Sequence, residues 1–108
     1  MTEARAASGL LVSALIRRIE AEGGHAMVLA RGDATAGAML LLLADRGEPT
    51  ALLERTLGQG GYGWNDGGPA DPAERPAYLD RRRNNDPDLW IVELDHPKAR
   101  SIALDLLG

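Results

Sequence analysis

A chain of 108 residues with a formal charge of −4 and no cysteine has room for one domain and one modest core, burying roughly 60–65% of the surface its unfolded form exposes. The missing cysteine excludes disulfides, thiolate nucleophiles and cysteine-ligated zinc or iron–sulfur sites, and makes a reducing cytoplasm the expected location. The acidic balance works against bulk binding of a phosphate backbone, and with 44% apolar residues but no Phe the core has to be aliphatic, supported by two Trp and two Tyr.

The first apolar run, Leu10–Ile16, is cut by Arg17 and Arg18 and has no basic lead, so it does not make a signal-peptide core. The second, Ala38–Ala44, is far shorter than the roughly 20 residues that span a bilayer, and no membrane association is expected.

Taken in chain order, Val12, Leu15, Ile16 and Ile19 fall on one helical stripe. The spacing predicts a helix over about residues 9–22, with Ser8 as its N-cap and Gly23-Gly24 as its stop. Arg17, Arg18 and Glu20 lie away from the stripe, as a solvated face or as an arginine pair aimed at an anion. His25 to Arg31 alternates, with Met27 and Leu29 on one side and Ala26, Val28 and Ala30 on the other, which predicts a strand covered on at least one face. Ala38–Ala44 is apolar at every position and suits a central strand buried on both faces. After the turn Asp45-Arg46-Gly47-Glu48, Thr50–Leu57 returns as a third antiparallel strand, although Pro49 followed by Ala51, Leu52, Leu53 and Glu54 would also suit a short helix.

Residues 58–70 hold Gly58, Gly60, Gly61, Gly63, Gly67 and Gly68 with Tyr62 and Trp64 interleaved, and are expected to form a flexible loop without a regular element. No lysine follows in the pattern of a phosphate-binding loop. Its aromatics would tack the loop onto the body, or Trp64 and Tyr62 would stack on a base or a partner's side chain. Asp71-Pro72-Ala73-Glu74 is ordered as a helix start. Pro76 makes that first turn separate from a main helix over about residues 76–84, in whose last turn Arg81, Arg82 and Arg83 complement the helix dipole or form a patch for nucleic acid or an acidic partner. Asp88–Leu94 predicts a strand after the Asp86-Pro87 break. Asp95 then caps a last helix carrying Ala99, Ile102, Ala103 and Leu106, which Gly108 closes. The sum is a single α+β domain over residues 1–108, with a small antiparallel sheet of three to four strands and helices packed mainly on one face.

Three stretches carry a family resemblance: Val12-Ser13-Ala14-Leu15-Ile16-Arg17-Arg18, Arg31-Gly32-Asp33-Ala34-Thr35-Ala36-Gly37-Ala38, and Asp86-Pro87-Asp88-Leu89-Trp90-Ile91-Val92-Glu93. Together they resemble a family of small bacterial proteins, mostly alphaproteobacterial, catalogued as a domain of unknown function. The resemblance spans most of the chain, the glycine-rich segment excepted. It implies a single-domain cytoplasmic bacterial protein and brings no activity, cofactor or catalytic residue.

Chemistry finds little to work with. His25 and His96 start different elements without metal-ligand spacing, so structural or solvent-facing roles and no metal site are expected. Asp88 and Glu93 have the acidic half of a metal-dependent nuclease core, but Glu93-Leu94-Asp95 lacks the lysine such a core needs. Ser8, Ser13 and Ser101, the only serines, fall on helices or caps and not in a nucleophile elbow. Arg31-Gly32-Asp33 matches a cell-adhesion tripeptide that an ordinary turn explains, with Asp33 bonding a nearby backbone amide. No catalytic residue and no cofactor are therefore assigned. The reading with fewest assumptions is a non-enzymatic interaction or adaptor module binding a protein partner or a second copy of itself. The alternative is an anionic-ligand or nucleic-acid binder using Arg17, Arg18, Arg31, Asp33, Arg81, Arg82 and Arg83 with Trp64 stacking. An enzyme built on Asp33, Asp86, Asp88 and Glu93 ranks third.

Overall fold

The computed structural model describes residues 7–58 and 61–107, with 56–58, 61–62 and 107 in backbone only. Gly60 and Gly108 lie outside the described residues, as does the side chain of Tyr62. The elements run α1 (Ser8–Ala21), β1 (His25–Ala30), β2 (Met39–Asp45), β3 (Glu48–Gly58), β4 (Gly61–Asp66), a 3-10 turn (Pro72–Glu74), α2 (Arg75–Asn85), β5 (Trp90–Asp95) and α3 (Ala99–Leu107). The fold is α+β, with a sheet richer than the expected three to four antiparallel strands. Five strands are ordered β1-β5-β2-β3-β4, and β2 and β5 run parallel.

The parallel pair has a topological cause. The chain leaves β4, crosses the sheet through the 3-10 turn and α2, and returns to lay β5 between β1 and β2. Such a long crossover is what parallel neighbours require. The connection after β1 therefore does not close a hairpin; it bridges over the end of β5. β5 is apolar on both faces, as its position demands. Trp90, Val92 and Leu94 join Met39, Leu41, Leu43 and Leu53 in one core with Val12, Leu15 and Ile19 of α1 and Ala99, Ile102 and Ala103 of α3. Leu89 and Ile91 join Ala30, Leu40 and Leu52 in a second core, against which Tyr78 and Leu79 of α2 pack. The alternation Met39/Leu40/Leu41 assigns the two cores to opposite faces. Helices cover both faces, α1 and α3 on one and α2 on the other.

Residues 50–57 belong to β3, which resolves the strand-or-helix alternative in favour of the strand. Its turn from β2 places Arg46 at φ 52° and Gly47 at φ 81°, the left-handed pair that a two-residue hairpin requires. The glycine-rich stretch holds β4, contrary to the expectation of a loop: Leu53↔Asp66, Arg55↔Trp64 and Leu57↔Tyr62 are in register, because pairing with β3 offsets the entropy that glycine costs. Two caps also differ. Ser8 is the first residue of α1, and its buried hydroxyl donates to Gly37 O at 2.8 Å. The Asp95 carboxylate accepts from Arg46 N and Gly47 N, both at 2.8 Å, so it ties down the β2–β3 turn. His96 serves the last helix instead, Nδ1 accepting from Lys98 N at 2.9 Å. Asp71 caps the 3-10 turn through Ala73 N, and α2 begins separately at Arg75.

Candidate functional site

Two of the stretches quoted for the resemblance, 31–38 and 86–93, meet the start of α1 in one knot. Trp90 N donates to Ala38 O at 2.8 Å, Asp33 N to Asp88 O at 3.0 Å, and the indole Nε1 of Trp90 to Asp33 O at 2.7 Å. Asp33 Oδ2 accepts from Thr35 N (3.1 Å) and Ala36 N (2.8 Å), the turn role expected of it. The carbonyls of Thr35 and Ala34 accept from Ser8 N and Gly9 N, supplying partners for donors at the start of α1. A Cβ on Gly32 or Gly37 would collide with Asp88 O and press on the Trp90 ring. The Arg31 guanidinium lies 5.7 Å from the centre of that ring, a cation–π distance. Trp90 is buried, and this cluster of polar groups bonds within the fold.

The arginines do not converge. Arg17 and Arg18 are exposed on α1, whereas Arg81, Arg82 and Arg83 ride on α2 across the sheet. Arg18 pairs with Glu22 and approaches Asp105 of α3 at 3.9 Å. The hydrogen bond from Arg18 holds the Glu22 carboxyl below the ordinary glutamate range, and the same contact raises the guanidinium. Arg82 is no part of a surface patch. Its Nη1 and Nη2 grip Glu54 Oε1 (2.8 Å) and Oε2 (2.6 Å), and Nη1 also reaches Tyr78 Oη at 2.7 Å. Hydrogen bonding to Glu54 raises the Arg82 pKa against the opposing effect of burial. Trp64 is half-buried on β4 against the α1/α3 core, and its buried Nε1 has no acceptor among the described residues.

The histidines have structural surroundings. His25 is exposed at the start of β1, and His96 Nε2 lies 3.0 Å from Glu22 O. With Nδ1 accepting from Lys98 N, Nε2 is the donor. Both line a recess of 510 Å³ at the end of the sheet with Glu22, Asp45, Arg46 and Asp95. Among the described residues no three His, Asp or Glu side chains gather closely enough to hold a metal ion.

What stands out is an apolar edge. Cover over β1 is partial: Ala26 packs against the α1 core and Ala30 is buried in the α2-side core, but Met27 is 58%, Val28 39% and Leu29 44% exposed. The strand pairs with β5 on one side and is the terminal strand of the sheet on the other. Val28 sits opposite Val92, on the α1 face. Met27 sits opposite Glu93, which pairs in turn with the half-buried Leu42, so Met27, Glu93 and Leu42 form a row on the face that α2 covers. A register shift between Val28 and Ala30 turns Ala30 into the α2-side core and leaves Leu29 beside it at the rim. The alternation in residues 25–31 marked the strand but carried no information about which end of the sheet it would occupy. Glu54, the partner of Arg82, was likewise missed, because the 28 residues between them leave no local signal.

These features define a small α+β domain, a five-stranded mixed sheet with helices on both faces and an uncovered apolar edge. The chain belongs to the DUF1491 family, described as a protein of unknown function, whose model matches residues 6–104. The crystal structure of a DUF1491 family protein from Caulobacter crescentus is similar to this chain, with 34% identity over 89% of this chain and 92% of that one and a TM-score of 0.77. An NMR structure of a DUF1491 protein from the same organism has 33% identity over 93% and 94% and a TM-score of 0.79. A solution structure of an A. tumefaciens protein has 30% identity over 86% and 87% and a TM-score of 0.71. No match is found among curated proteins.

Proposed function

We propose that the protein is a non-enzymatic interaction module of the bacterial cytoplasm whose docking surface is the edge of β1, and that its partner there is a second copy of the same chain. The observation that carries this reading is the side-by-side exposure of Met27, Val28 and Leu29 on a terminal strand. Natural edge strands are usually blunted by lysine, proline or a cover, and His25–Ala30 has neither lysine nor proline. Such an edge offers backbone donors and acceptors together with apolar side chains to an added strand.

Charge favours self-pairing. The His25 end of β1 adjoins a recess where Glu22, Asp45 and Asp95 outnumber Arg46, whereas Arg31 follows the other end. Antiparallel pairing of two copies brings each Arg31 towards the acidic end of its counterpart and continues one sheet through both molecules. The location is supported by the lack of cysteine and by the relatives in Caulobacter crescentus and A. tumefaciens. The non-enzymatic reading is supported by the dispersal of arginines and carboxylates over both faces.

Sedimentation equilibrium on the full chain tests the reading. The wild type should dimerise with a Kd on the order of 10 μM, and Val28→Lys or Met27→Lys should weaken this at least about tenfold with unchanged circular dichroism. A wild type that stays monomeric at about 0.5 mM, or a dimer indifferent to both substitutions, would overturn it.

A further inference from the structure

A second surface carries a separate proposal. β4 pairs with β3 only from Leu53 onward, so the first half of β3 is not paired with it. There the chain turns away through Gly67, whose N–H donates to Leu52 O at 2.9 Å. The result is a recess of 370 Å³ along Thr50–Leu52. Two arginines reach it from opposite sides of the sheet: Arg75 at the start of α2, and Arg100 on α3.

Their situations differ. Arg100 Nη2 pairs with Asp66 Oδ1 at 2.8 Å, in a contact where both side chains are largely exposed, and such pairs hold weakly. Arg75 is half-buried, and no acceptor or ion pair serves it among the described residues; its Nε is sealed from solvent and without a hydrogen-bond partner. A sealed nitrogen steadies the plane of the guanidinium, so the cation is held in place instead of sweeping through water. Two guanidinium groups against one exposed carboxylate leave the recess a net positive charge. A guanidinium fork matches the oxygens of a phosphate two at a time.

We infer that the recess between Thr50–Leu52, Arg75 and Arg100 binds a phosphate group, free or carried on a small molecule. Arg75 is the primary ligand, and Arg100 turns from Asp66 to the anion. This gives a role to a half-buried cation without a protein partner among the described residues at the sheet margin, where a neutral side chain would cost less to bury.

The test uses the full chain and inorganic phosphate, read by two-dimensional NMR. The amides of Gly67, Gly68 and Ala70 should shift saturably with a Kd on the order of 1 mM. Arg75→Gln should weaken binding at least about tenfold and Arg100→Gln severalfold, with the remaining spectrum unchanged. A parallel titration with acetate separates the sources of oxyanion: equal affinity for acetate would overturn the phosphate assignment. Shifts that fail to saturate by about 20 mM, or that survive Arg75→Gln, would overturn the site. Should Arg75→Gln unfold the chain, Arg75→Lys provides the second reading: a lysine retains charge without the fork, so undiminished affinity would count against the proposal and a severalfold loss for it.

Discussion

Gly32 and Gly37 show how a single residue type can serve closeness of approach. Both lie against the carbonyl of Asp88 and the Trp90 indole, where a Cβ would overlap backbone that cannot move without disturbing Asp33 N→Asp88 O and Trp90 N→Ala38 O. The Arg31-Gly32-Asp33 tripeptide is thus a packing device, with its aspartate turned inward onto Thr35 N and Ala36 N. Gly37→Ala should destabilise the protein by about 2–3 kcal/mol, the upper part of the range for overpacking in a tight core. Urea unfolding measures this, and a change below about 0.5 kcal/mol, the size of an ordinary surface effect, would show that the knot is looser than its contacts imply. Arg46 and Gly47 illustrate the other backbone demand: both have positive φ, and the Asp95 carboxylate secures the arginine where a smaller residue would be the usual choice.

Among the three helices, α2 is the one held least by burial. It contributes no buried residue, and Tyr78 and Leu79 are only partly covered where they meet the sheet. Its anchorage rests heavily on the two-pronged Arg82–Glu54 contact, reinforced by the Tyr78 hydroxyl. Removing one partner strands the other in a half-buried setting, so Arg82→Ala or Glu54→Ala should each cost about 1.5–3 kcal/mol. The double substitution should cost less than the sum, with a coupling of about 0.5–3 kcal/mol. A double-mutant cycle by thermal unfolding decides this, and strictly additive losses would show that the pair contributes nothing of its own. By contrast, α1 and α3 bury Val12, Leu15, Ile19, Ala99, Ile102 and Ala103, and the exposed Arg18–Glu22 pair on α1 is an addition to a helix already held by packing.

At the scale of the molecule, β5 organises everything else. It pairs with β1 on one side and β2 on the other, contributes Trp90, Val92 and Leu94 to one core and Ile91 to the second, and its flanking residues anchor the 31–38 bridge and the β2–β3 turn. Amides of β5 and β2 should therefore exchange with solvent only on global unfolding, whereas α2 and the margin of β4 exchange by local opening. Native-state hydrogen exchange across a denaturant series checks this. Protection of α2 equal to that of β5 would mean that the second core is as cooperative as the first. The same topology produces the exposed edge: with β5 inserted beside it, β1 becomes terminal, and its apolar residues face outward along Met27–Leu29.

Features with a local cause could be read along the chain. The stripe of Val12, Leu15 and Ile19, the two-faced burial of Leu40 and Leu41, and the cap and proline of Asp71-Pro72 all depend on side-chain period or neighbouring backbone, and each reappears in the fold. What periodicity could not carry was partnership over distance. The insertion of β5 between β1 and β2, the grip of Arg82 on Glu54 and the outward face of β1 arise from contacts tens of residues apart, whereas Gly61–Asp66 pairs with the neighbouring β3 and its glycines hid the strand. For the same reason Arg17, Arg18, Arg81, Arg82 and Arg83 could be named as a cluster from their adjacency along the chain, yet the sheet lies between them. Side-chain period specifies which face of an element is apolar; only the packing of whole elements determines what that face meets, and whether anything covers it.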